Sequence, residues 1–249
     1  MRMNRMRQVL VAGLVLATAT AAVAGVSPVI FRIQATNANG TATFSVPATA
    51  LVPDPGTGGQ RWALGGPVTL ASGSNVIATL NMANVRLVDN RLNIPRVIVN
   101  FEIANGDLDA TFAVESAVVD FLPIPAALSE GRATAGFTLT DFNDGVPASL
   151  QGPGGGAGIF TGFYNGSTVF ANLIAGLSVN NGGTVTGTGK VPAVGTWQDI
   201  PVAVTDISLR NDFTLTARDS MSAQTQILVT PEPAALALVA CGLLLARRR

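Results

Sequence analysis

The residues best spaced for chemistry are three carboxylates, Glu102, Asp107 and Asp109, in the stretch "NFEIANGDLDATF". Apolar and polar residues alternate on both sides of Asn105-Gly106, a dipeptide suited to the two-residue type I′ turn of a hairpin. With that turn, Ile103 pairs with Leu108, Phe101 with Ala110, Val99 with Phe112 and Val97 with Val114, all on one face. Glu102 then stands opposite Asp109 on the other face, with Asp107 beside them, and like charges directly across a strand pair repel. A Ca²⁺ ion, which prefers oxygen ligands, is one remedy. Solvation of all three side chains, with screening weakening the repulsion, is the other and the expectation here.

Histidine is absent from the chain, and the lone cysteine is Cys241. Ser-His-Asp and Cys-His catalysis and histidine metal ligation are therefore excluded. A pair of carboxylates alone can hydrolyse a glycoside, but no spacing selects two of those present. The chain is read as non-enzymatic, with a carboxylate-based glycoside hydrolase as the more distant alternative. "GPGGGAG" (152–158) lacks the Gly-Lys-Ser/Thr of a phosphate loop. "DFNDG" (141–145) puts glycine where a calcium loop needs its third side-chain ligand, so it reads as a turn. Trp62, Tyr164 and Trp197 would stack on sugar rings if exposed, although large aromatics more often serve the core.

These groups have to be positioned by strands. Asn-Gly occurs at 39–40, 105–106, 165–166 and 181–182, and Asp144-Gly145 adds another hairpin-type dipeptide. Between them run Val-, Thr- and Phe-rich segments of period two: 29–36, 42–47, 76–82, 133–140, 184–190 and 202–209. A last strand pair is expected in "DFTLTARDSMSAQTQILV", turning near Asp219. The fold class expected is all-β, an antiparallel β-sandwich of one domain over 25–230, with a jelly-roll strand order compatible.

Both ends differ from this body. Residues 1–24 carry Arg2, Arg5 and Arg7, an apolar run from Val9, and Ala22-Val23-Ala24 before Gly25. That is the layout of a signal-peptide helix cleaved between Ala24 and Gly25, implying the export translocon and signal peptidase as partners. At the other end, Pro231-Glu232-Pro233 leads into thirteen apolar residues, Ala234 to Ala246, and then Arg247, Arg248 and Arg249. A helix of that length spans about 20 Å, short of the ~30 Å bilayer core. The arginines favour the cytoplasmic side, so the segment would pause export with the body outside.

Triplet, short apolar helix and terminal arginines together resemble the PEP-CTERM sorting signal of exported bacterial proteins, over about the last twenty residues. The resemblance implies recognition through Pro231, Glu232 and Pro233 and retention through Arg247, Arg248 and Arg249. It further implies cleavage by a membrane-embedded exosortase and delivery to the cell surface or matrix, often beside exopolysaccharide.

Of fifteen cationic side chains, six lie in 1–24 and 231–249, leaving nine; of fifteen carboxylates only Glu232 is lost, leaving fourteen. The body is thus about −5 with a single lysine, Lys190. With no basic cluster to displace counterions from phosphates, nucleic-acid binding is excluded. The leading expectation is a non-catalytic cell-surface or extracellular-matrix protein, tethered transiently to the inner membrane. The first alternative is an exopolysaccharide-binding module, with or without calcium.

Overall fold

The computed structural model describes residues 25–88, 94–142, 144–154, 157–180 and 182–231. The expected signal helix with Ala22 and Ala24, and the tail with Glu232, Pro233, Arg247, Arg248 and Arg249, lie outside the described residues.

The strands, in chain order, are β1 (Val29–Asn37), β2 (Gly40–Pro47), β3 (Val52–Asp54), β4 (Gly59–Ala63), β5 (Val68–Ser72) and β6 (Asn75–Val88). There follow β7 (Arg96–Asn105), β8 (Ala110–Ser116), β9 (Val119–Ile124), β10 (Ser129–Thr140), β11 (Ala148–Gln151) and β12 (Phe160–Tyr164). The last are β13 (Thr168–Leu173), β14 (Gly176–Val179), β15 (Thr184–Val191), β16 (Gln198–Asp199), β17 (Val204–Leu215) and β18 (Ser220–Pro231). They form two antiparallel sheets of nine strands each. The front sheet runs β13-β12-β17-β8-β1-β2, with β9 and β11 also on β17 and β14 on β11. The back sheet runs β15-β10-β18-β7-β6-β4-β3, with β16 on β10 and β5 on β6. The class is all-β, as the period-two alternation predicts.

The two sheets share one apolar core. Phe31, Phe101, Phe112, Phe137, Phe160 and Phe213 are all fully buried. Each such burial stabilises by about 1.5–3 kcal/mol before packing terms. Phe213 stacks on Phe112 in its own sheet at 5.2 Å and on Phe101 of the back sheet at 6.2 Å, which ties the layers together.

Two of the Asn-Gly sites lie at hairpin turns, the first of them one residue out of the expected register. Asn37 pairs with Gly40 across Ala38-Asn39, closing the β1–β2 hairpin, with Gly40 at φ +127°. Asn165 (φ +49°) and Gly166 (φ +78°) turn β12 into β13 through the left-handed conformations that Asn and Gly tolerate.

The Asn105-Gly106 hairpin does not form. β7 pairs with β6 and β18 in the back sheet, whereas β8 pairs with β1 and β17 in the front one. The expected pair at the C-terminal end is corrected in the same way, since β17 belongs to the front sheet and β18 to the back. In both cases the chain crosses between layers. Gly106 is glycine for close approach: a Cβ there would stand 2.6 Å from the carbonyl oxygen of Ile77, to which its N–H donates at 2.8 Å.

Candidate functional site

The two crossovers lie side by side at one corner and hold each other. The Asn105 N–H donates to the Asp219 carbonyl (2.8 Å), and the Arg218 N–H to the Gly106 carbonyl (2.7 Å). The Asn105 side-chain amide donates to the carbonyls of Leu108, Leu215 and Thr216 at 2.8–3.0 Å, while its Oδ1 accepts the Gly106 N–H. Thr216 donates its hydroxyl to Asp219 Oδ2 at 2.5 Å. Asp219 is 2% exposed, and burial pushes its carboxyl above the ordinary range, with Asp141 and Asp144 adding to the rise and the Thr216 bond opposing it.

The three predicted carboxylates are divided by this corner. Glu102 stands across from Ser222 and Met82, not Asp109, and its Oε1 accepts from Asn81 at 3.2 Å. Asp107 pairs with Arg218 at 2.9 Å, and Asp109 accepts the Ala217 N–H at 2.9 Å. The repulsion that a calcium ion would relieve therefore does not arise in that form. Among the described residues no group of three or more His, Cys, Asp or Glu side chains is arranged to hold a metal ion.

The three aromatics are also separated. Trp62 in β4 is half-buried against Phe31, ring centres 5.7 Å apart. Tyr164 packs at the core margin from β12 of the front sheet, and half-buried Trp197 precedes β16 beside the back sheet. They form no common stacking platform.

The outer faces of the sheets differ. On the front sheet Arg32, Glu115, Arg210 and Asp212 form a chain of ion pairs at 3.8, 3.2 and 2.6 Å. On the back sheet, residues that alternate with the core positions of β15, β10, β18, β7 and β6 form polar rows across five strands. One row reads Thr188, Gly136, Gln224, Asn100, Asn84, and the next Lys190, Thr134, Gln226, Ile98, Arg86. Five strands at ~4.8 Å spacing make each row about 19 Å long.

Two depressions of ≈ 580 and ≈ 460 Å³ lie on this face and share Gly136, Thr188 and Gln224. Several lining groups are held in place: Gln226 donates to Thr134 (2.8 Å), Asn100 to Asn84 (2.9 Å), and Thr138 and Thr186 bond each other (3.1 Å). Arg86 is bound by Asp54 at 2.7 and 2.9 Å. Such an array of hydroxyls and amides can recognise a ligand rich in hydroxyls.

The sequence reading did not single out this face. Its signal was available in β10, where the outward positions run Arg132, Thr134, Gly136, Thr138, Thr140, a polar row with one gap. No protein-family model and no curated protein matches the chain.

Proposed function

We propose that the chain is an exported, non-catalytic cell-surface or extracellular-matrix protein whose β-sandwich is the cargo and whose C-terminal segment is a detachable sorting label. The crossovers of β7–β8 and β17–β18 between layers support a jelly-roll-like order for that sandwich. The observation that carries the reading is the position of Pro231. It is the last residue of β18, paired with Ser129, and β18 lies inside the back sheet between β10 and β7. The Pro-Glu-Pro triplet therefore begins at the last described residue of β18, opposite the first residue of β10, and a cut beyond Pro231 leaves every described strand whole. At the other end Gly25, the first residue expected after signal cleavage, accepts the Asp120 N–H at 2.8 Å, which ties the new terminus to β9.

In this reading signal peptidase frees Gly25, the apolar segment with Arg247 to Arg249 holds the chain at the inner membrane, and an exosortase-type protease acts at the triplet. Intact-mass measurement and fractionation in the host test it. Wild-type protein should lose the tail and leave the inner membrane, and Glu232→Ala should accumulate there uncut. Wild-type protein that keeps residues 231–249 in the inner membrane would defeat the reading.

A further inference from the structure

Gly136 sits in the middle of β10, an interior strand, where a glycine weakens the sheet by about 0.5–1 kcal/mol relative to alanine. Packing does not require it. A Cβ built there would come no nearer than 4.0 Å to any atom, and its φ is not in the left-handed region. By contrast a Cβ at Gly187, on the core side of the neighbouring β15, would meet Leu177 at 2.5 Å. The effect of glycine at 136 is to leave a gap in the polar row, and that gap joins the two depressions into one trough.

Four side chains around the gap are left unused. Thr188, Gln224, Lys190 and Arg132 line the trough, and among the described residues their side chains form no hydrogen bond or ion pair. The Oδ1 of Asn100 is buried without a partner. A buried acceptor left unpaired costs about 1–3 kcal/mol unless something supplies a donor.

These features identify the chemistry of an occupant. β10, β18 and β7 are interior strands with their backbone groups spent in ladders, so a peptide laid over Gly136 finds no edge to extend; the edge strand β15 offers one only on its far side, away from Gly136. Amides and hydroxyls present donors and acceptors together, which suits a ligand bearing many hydroxyls. Arg132 and Lys190 lie together in one of the depressions on a body of about −5, which suits a carboxylate. We propose that the outer face of the back sheet binds an extended, carboxylate-bearing polysaccharide laid over Gly136, with its acidic groups at Arg132 and Lys190. This holds or fails independently of how the tail is processed.

The test is affinity electrophoresis of the full chain in mild non-ionic detergent, with polygalacturonate or neutral dextran in the gel. Polygalacturonate should retard the wild type and dextran should not. Gly136→Val fills the gap with a strand-favouring side chain. It should weaken retardation at least about tenfold, roughly 1.4 kcal/mol, with an unchanged or higher melting temperature. Gln224→Ala, at an exposed side chain, provides the same reading should Gly136→Val alter the fold. Arg132→Gln with Lys190→Gln should also lose about tenfold or more, while Arg210→Gln on the front sheet should change nothing. The proposal is overturned by an unretarded wild type, by equal retardation in dextran, or by Gly136→Val and Gln224→Ala binding as the wild type does.

Discussion

The corner where the crossovers meet and the outer face of the back sheet share three residue types, asparagine, threonine and glycine, and use them in opposite ways. At the corner the polar groups are directed at the protein's own backbone, and Asn105 alone satisfies three carbonyls from two separate connections. On the face the polar groups bond one another or, at Thr188 and Gln224 beside Gly136, remain open. Gly106 is filled on its far side by the Ile77 carbonyl, whereas Gly136 has free space. A polar residue's role is thus set by whether the surrounding backbone has already exhausted its own hydrogen-bonding capacity.

Asn105→Ala should separate the regions most sharply. Leaving buried carbonyls without donors should cost about 3 kcal/mol and lower the melting temperature by about 6–12 °C in a chain of this size. Asn211 belongs to neither region and isolates the variable. It is fully buried in β17, and neither of its amide atoms has a partner. Asn211→Val should raise stability by about 2 kcal/mol, read as a higher urea midpoint; a loss would mean that burial without bonds is not what sets its cost.

The two glycines give a pair of opposite sign. Gly106→Ala drives a methyl against backbone and should cost about 2 kcal/mol, whereas Gly136→Ala should be neutral or gain up to about 1 kcal/mol. Matching losses in thermal melts would show that Gly136 is structural after all.

Asp219 should show a smaller, pH-dependent effect. Its folded carboxyl titrates above the unfolded one, so it favours the fold at acid pH and loses that contribution as pH rises through the folded value. Asp219→Asn should therefore raise the melting temperature near pH 7 by about 2 °C and give less advantage near pH 4. An equal effect at both pH values would contradict the sign.

The least effect is expected at Asp107. Its ion pair with Arg218 is exposed on both sides, so Asp107→Asn should change stability by less than about 0.5 kcal/mol. Calcium at saturating concentration should leave the melting temperature of both forms alone. A calcium-dependent rise abolished by Asp109→Asn would restore the metal reading.

Much of the fold was legible in the alternation. "RVIVNFEIAN" and "SMSAQTQILV" each mark one apolar face, and the hairpins at Gly40 and Gly166 followed from residues that tolerate positive φ. The corner was misread for a definite reason. β7 and β8 each direct one apolar face at the core, and that pattern is the same whether the strands pair in one sheet or face each other across two. The candidate face was legible only as polarity, since Gly136 in the sequence looks like any strand-weakening glycine. The space beside its Cα depends on strands β15 and β18, which are remote in the chain.

The sequence alone therefore determined the strand class, the acidic charge of the body, the absence of histidine chemistry and the distinct composition of the two ends. Those follow from residue type and period, which are local. The tertiary structure alone decided which strands are neighbours, that Glu102, Asp107 and Asp109 have separate partners, and that five strands leave a polar trough over one glycine. Those depend on which backbone groups and side chains meet across the sheets, and local pattern carries no record of that.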